Sequence, residues 1–178
     1  GDAILSASHL TNGEPVAVLF GDDIVSNPEP CIAQMIKVFE KYGDPVIALD
    51  EVPKNQVSAY GVVKARQISD RVYEIEDIVE KPSPAKAPSN LVIVGKYIIT
   101  PEVFAKLKKI KKFKGKELRL ADALKSYLKK KPIYGLRFKG KRYDCGSKLG
   151  FLQATVDFAL KHKETSVAFK KYLKGLKL

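Results

Sequence analysis

Short apolar runs alternate with segments of helical period along this chain. Residues 16–20 (VAVLF) are apolar throughout, between the turn residues TNGEP and the polar stretch GDDIVSNPE. The run predicts a central strand buried on both faces, and GDDIVSNPE a loop after it. Ile32, Met35, Ile36 and Phe39 recur at helical spacing within 29–42, with Asn27 placed to cap the helix and Pro28 to open it. Residues 46–52 (VIALDEV) predict the next strand. The order strand, helix, strand predicts a parallel α/β unit. Residues 60–66, 72–79, 91–99 and 132–138 predict further strands, and residues 3–9 the end of a helix. The segment 80–90 holds three prolines and reads as irregular. Thr100, Pro101 and Glu102 have the order of a helix start. Residues 119–130 predict a second amphipathic helix. Leu149, Leu152, Val156 and Ala159 share one face of a helix from Lys148 to Lys161, which His162 ends, and 165–174 predict a last short helix.

Length and charge narrow this outline. The chain has 178 residues, 45% of them apolar, which suits one α/β domain over 1–178. No apolar run is long enough to span a membrane, and the first ten residues lack the pattern of a signal peptide. Cys31 and Cys145 form no scaffold or metal spacing, so a reducing, cytoplasmic setting is expected. The net charge is +12, and residues 106–116 alone hold seven lysines. Such a balance suits nucleotides, sugar phosphates, nucleic acid or a membrane surface, and equally a solvated lysine-rich face. Zinc-finger spacing, helix-turn-helix cues and aromatic-interleaved strands are missing, which weighs against nucleic acid.

Candidate chemistry gathers where strands end. Asp22 directly follows an apolar strand, where open α/β sheets place their ligands. A carboxylate there can hold Mg²⁺ on a phosphate, or simply shape a turn. Asp144 stands in the same kind of position, before Gly146 and a helix, and could share one cation with Asp22 or act near the helix cap. Lys81, before rigid prolines, can act as a point charge on phosphate, and Glu80 can accept hydrogen bonds from sugar hydroxyls. Either could equally be an ordinary charged strand end. Cys145 lacks a neighbouring base and is not expected to be a nucleophile.

The segments VLFGDDIV, SAYGVV, IVEKPSPAKAPSNLVIVGKYIITPEVF, ELRLADAL and GKRYDCGSKLGFLQATVDFALKH stand in this order. Together they resemble the bacterial UTP–glucose-1-phosphate uridylyltransferases, a family of sugar-nucleotide pyrophosphorylases, over residues 1–173. The resemblance implies a C-terminal portion that lacks an N-terminal glycine-rich nucleotide loop. It implies a partial Rossmann-like fold, with a mixed, mostly parallel sheet flanked by helices. It also implies UTP and glucose 1-phosphate as substrates, UDP-glucose as product, Mg²⁺ as cofactor and a homo-oligomer as the full-length enzyme. By the same resemblance, Asp22 and Asp144 hold the metal, Lys81 contacts the sugar phosphate, and Glu80 binds glucose hydroxyls. Gly61 admits the sugar close to the backbone, Val94 and Gly95 border its pocket, and Glu117 or Asp122 frames the far side. Arg119 and Ala121 depart from the family's usual ELQLTDA pattern. The rival readings are a nucleotidyltransferase of other specificity and a basic nucleic-acid-binding domain.

Overall fold

In the computed structural model, which describes residues 1–110 and 117–176, six strands form one large sheet and two form a separate ribbon. Helix α1 (Asp2–Ser6) and a 3-10 turn (Ala7–Leu10) precede β1 (Val16–Leu19) and β2 (Asp23–Ser26). Helix α2 (Cys31–Tyr42) leads into β3 (Val46–Glu51), a 3-10 turn (Lys54–Ala59), β4 (Gly61–Ser69), β5 (Val72–Glu80) and β6 (Leu91–Ile99). Helices α3 (Pro101–Lys109) and α4 (Leu120–Leu128), strands β7 (Tyr134–Arg137) and β8 (Lys141–Asp144), and helices α5 (Lys148–Lys161) and α6 (Ser166–Lys174) complete the order. Among the described residues, no helix is long and apolar enough to cross a membrane. Part of the lysine-rich segment, residues 111–116, lies outside the described residues.

The large sheet runs β1-β6-β3-β7-β5-β4, and a Val62–Val92 bridge brings β4 back to β6. The sheet is therefore closed into a barrel, with β1 attached outside the ring. Only the β3–β7 ladder is parallel among those described, and the others are antiparallel. This corrects the expected open, mostly parallel Rossmann-like sheet. Strands β1 and β3 do run the same way across α2, as their order predicts, but β6 enters between them antiparallel to both. That insertion comes from a distant segment, and local periodicity carries no sign of it.

Strand β3 shows why the sheet is buried on both faces. Ile47 and Leu49 point to α3 and α4, where they meet Val103, Phe104, Leu107, Leu124 and Tyr127. Val46 and Ala48 point the other way, to Cys31, Met35 and Val38 of α2. All four strand residues are fully buried, which accounts for a continuous apolar run where an exposed strand would alternate.

Three local expectations are corrected. Strand β1 lies at the rim of the sheet and is half exposed, and Asp23–Ser26 form a strand where a loop was expected. Helix α2 is capped at Pro30 rather than Asn27, and its buried side is Cys31, Gln34, Met35 and Val38, which leaves Ile36 exposed. Helix α5 packs through Gly150 and Ala154, while Leu149 and Leu152 face outward. The Thr100 and Pro101 start of α3 and the His162 end of α5 stand as expected.

Candidate active site

The ribbon of β2 and β8 assembles the acidic part of the site. Its register pairs Asp23 with Asp144, and the Cys145 N–H donates to the Asp22 carbonyl at 2.7 Å. Residues far apart in the chain are thereby fixed side by side. The ribbon is docked on the large sheet through Gly95 of β6. The Phe20 N–H donates to the Gly95 carbonyl at 2.7 Å, and the Gly95 N–H donates to Asp23 Oδ2 at 2.9 Å. A Cβ on Gly95 would stand 2.7 Å from Phe20 Cβ, so only glycine lets the ribbon seat this closely.

Beside this dock lies a cavity of about 350 Å³, whose wall includes Asp22, Tyr60, Gly61, Glu80, Lys81 and Gly95. Gly61 and Glu80 face each other across the β4–β5 ladder. A Cβ on Gly61 would stand 3.3 Å from Glu80 Oε2, tight enough that the carboxylate would have to shift slightly, and in ordinary contact with Ile93 Cδ1 at 3.4 Å. Lys81 follows the end of β5 with φ of 45°, and its N–H donates to the Tyr60 carbonyl at 3.0 Å. This left-handed backbone turns the chain sharply where the strand ends.

A second cavity shares Phe20, Glu80, Lys81, Tyr97 and Ala121 with the first and has Glu117 and Arg119 in its wall. Two of the sequence candidates lie elsewhere. The Val94 side chain is fully buried in the cluster against α2, on the opposite face of the sheet. Asp122 is exposed in a groove beside Glu76, Asp77 and Lys125. Strand alternation accounts for Val94, because Ile93, Gly95 and Tyr97 on the other face are the β6 residues that line the cavity.

Asp144 is not part of the first cavity's wall but is tied to it through Tyr60. Its Oδ2 accepts from the Tyr60 hydroxyl at 2.8 Å. A Cβ on Gly146 would stand 3.2 Å from Asp144 Oδ1 and 3.3 Å from Asp22 Oδ2, so these oxygens are separated by no more than the sum of those distances. The space that Gly146 leaves open lies against both carboxylates. Two carboxylate oxygens, completed by phosphate oxygens and water, are a donor set that suits Mg²⁺. Among the described residues, no group of three or more His, Cys, Asp or Glu side chains forms a self-sufficient metal cage, so substrate would have to supply ligands.

The cation that balances this acidic ribbon is Arg142. Its side chain is 9% exposed, and its Nε donates to Asp23 Oδ1 at 2.6 Å. Its Nη2 lies 3.9 Å from Asp144 Oδ2, its Nη1 4.0 Å from Asp50 Oδ2, and its guanidinium 4.8 Å from the centre of the Tyr60 ring. Burial alone would push the guanidinium pKa down, but the hydrogen bond and charge of Asp23, together with Tyr60 and Asp144, outweigh it and the pKa rises. The Tyr60 hydroxyl is also pushed up, by burial first and then by its bond to Asp144. Asp23, Tyr60 and Arg142 had not been singled out from the sequence. Tyr60 adjoins a candidate glycine, and Arg142 sits in a basic run that looks like surface.

A family model described as nucleotidyl transferase matches residues 1–160. A UTP–glucose-1-phosphate uridylyltransferase of Staphylococcus epidermidis is 42% identical over 176 residues, 99% of this chain and 61% of that protein. A UTP–glucose-1-phosphate uridylyltransferase 2 of Staphylococcus saprophyticus is 40% identical over 178 residues, 100% of this chain and 62% of that protein. The chain thus spans about three fifths of the length of these curated relatives. Among solved structures, UDP-glucose pyrophosphorylase complexed with UDP-glucose superposes with TM-score 0.84 at 41% identity, covering 90% of this chain and 61% of that one. UTP-bound UGPase from Acinetobacter baumannii superposes with TM-score 0.88 at 30% identity, covering 98% and 61%. These findings replace the expected C-terminal portion with a family match that begins at residue 1 and a likeness that runs over nearly the whole chain. With residues 1–160 inside the family match and the same fold in both solved relatives, the chain belongs to the nucleotidyl transferase family.

Proposed function

We propose that the protein transfers the uridylyl group of UTP to glucose 1-phosphate, forming UDP-glucose and pyrophosphate, with Mg²⁺ as cofactor. The observation that carries this reading is one cavity bordered by Asp22, Tyr60, Gly61, Glu80 and Lys81, with Asp144 bonded to Tyr60. A sugar phosphate needs a cation for the phosphate and acceptors for the hydroxyls, and this wall offers both. The curated relatives that bear the uridylyltransferase name support the choice of sugar and base.

In the reaction, a phosphate oxygen of glucose 1-phosphate attacks the α-phosphorus of UTP. The new P–O bond forms as the bond to the bridging oxygen breaks, and that electron pair leaves with pyrophosphate. Both reactants are anions, so the protein's task is positioning and charge neutralisation. Lys81 holds the attacking phosphate by its ammonium group. Glu80 accepts from sugar hydroxyls and fixes the ring's orientation. Gly61 keeps the wall free of a side chain that would displace Glu80. Asp22 and Asp144 are the carboxylates that would hold Mg²⁺, which when bound neutralises phosphoryl charge. Residues 1–178 act as one α/β domain, within a homo-oligomer.

Pyrophosphate release from UTP with glucose 1-phosphate and Mg²⁺ is the test, run beside Lys81→Ala and Asp22→Asn. Release that depends on both sugar phosphate and metal, and that falls at least about a hundredfold in each variant, is expected. Release that favours another sugar 1-phosphate or another nucleoside triphosphate would overturn the specificity. Release insensitive to both substitutions would overturn the site.

A further inference from the structure

Among the described residues, the Asp144 carboxylate has a hydrogen-bond donor on one oxygen only. Tyr60 donates to its Oδ2 at 2.8 Å, while its Oδ1 borders the open space at Gly146 together with Asp22 Oδ2. A carboxylate held at one oxygen loses rotation about its Cβ–Cγ bond, so the hydroxyl of Tyr60 decides which way the other oxygen faces. Tyr60 is itself steadied. Its ring lies under the Arg142 guanidinium at 4.8 Å, and its carbonyl accepts the Lys81 N–H at 3.0 Å. Arg142 is held in turn by Asp23, whose second oxygen accepts the Gly95 N–H. The chain of contacts runs from the β6 backbone through Asp23, Arg142 and Tyr60 to Asp144. Asp23 has both oxygens occupied in this network, which separates its role from that of Asp22.

We propose that Tyr60, braced by Arg142, is a positioning residue that sets the affinity of the Asp22–Asp144 pair for a divalent cation. The inference rests on the proposed cation site, and it adds that the site's affinity is set by a phenol that donates to one of the cation's ligands and is not itself a ligand. Partners that orient metal ligands in this way typically change affinity by about ten- to a hundredfold when removed. The same tyrosine carries the Lys81 backbone bond on its carbonyl, so the metal side and the phosphate side of the site share one residue.

The test uses the full chain and Mn²⁺, followed by the electron paramagnetic resonance of the free ion. Tyr60→Phe keeps the ring over Arg142 and removes only the donor. Its Mn²⁺ dissociation constant is expected to rise about tenfold, with an unchanged melting temperature. Asp144→Asn is expected to abolish uptake. The carboxylate carbon signal of Asp144, in metal-free chain carrying ¹³C-labelled aspartate, is expected to move in Tyr60→Phe, a readout that needs no cation. Wild-type affinity in Tyr60→Phe, with uptake lost in Asp144→Asn, overturns the positioning role and leaves the cation site standing. Wild-type affinity in Asp144→Asn overturns the cation site itself. An unmoved Asp144 signal overturns the orienting bond whatever the metal does.

Discussion

Replacing Arg142 with methionine removes the guanidinium set among Asp23, Asp50 and Asp144 and leaves Lys96, whose Nζ donates to the Asp23 carbonyl at 2.6 Å. The Arg142 and Asp23 side chains are 9% and 14% exposed, so water can do little for the carboxylate left behind. Breaking a buried ion pair from one side costs about 3–5 kcal/mol. Asp50 and Asp144 are 33% and 35% exposed and keep part of their hydration, which places the loss near the lower end, about 3 kcal/mol. For a chain of this size each kcal/mol moves the melting temperature by about 2–4 °C, so a fall of about 6–12 °C is expected in differential scanning calorimetry. The second variant, Asp23→Asn with Arg142→Met, removes both charges. It should recover part of the loss, because neutral groups of similar volume can replace a buried pair at little cost. A coupling energy above about 1 kcal/mol in the double-mutant cycle is expected. Additive single effects, or a melting shift below about 2 °C for Arg142→Met, would refute the claim that this pair carries the ribbon's charge balance.

Leu49→Ala empties a fully buried position between β3 and helices α3 and α4, and should cost about 2–5 kcal/mol in urea denaturation. Gly61→Ala puts a methyl group 3.3 Å from Glu80 Oε2, so the KM for glucose 1-phosphate should rise about tenfold through lost sugar contacts, with little change in melting. Steady-state kinetics at saturating UTP would show it, and an unchanged KM would count against Glu80 as the sugar contact. Burial pushes the Cys31 thiol from the ordinary 9.0 up to about 11, partly opposed by Lys96. The folded chain therefore holds its proton where the unfolded chain releases it, so this group's contribution to stability is intact below pH 9.0 and is lost as pH rises toward about 11. Thiol labelling at pH 8 should reach partly exposed Cys145 first and Cys31 only on unfolding.

The strands and helices with strong local period are legible in the sequence. Residues 46–52 and 91–99 read as buried strands because their apolar runs have no polar alternation, and the structure buries β3 on both faces. Their order in the sheet is not legible, since β6 enters between β1 and β3 by long-range pairing. Asp23–Ser26 was missed as a strand because glycine, asparagine and proline flank it and its partner is residues 141–144. Asp22, Gly61, Glu80 and Lys81 stand at strand ends, where sequence can point to a cavity wall. Tyr60 and Arg142 have no such signal, because their roles come from what the ribbon brings beside them. Val94 and Asp122 were drawn in by neighbours on the same segment, and strand alternation and helix rotation turn them away.

The β2–β8 ribbon also sets an order of events during synthesis. Asp22 and Asp144 lie far apart in the sequence, and the register that joins them needs residues 141–144 to pair with 23–26. Such non-local contacts form late, after the loop between them has closed. A nascent chain that has folded β3 through β6 therefore carries Gly61, Glu80 and Lys81 of the cavity wall before Asp144 is brought beside Asp22. A cation held between Asp22 and Asp144 would therefore find its site only after residues 141–144 have paired with 23–26.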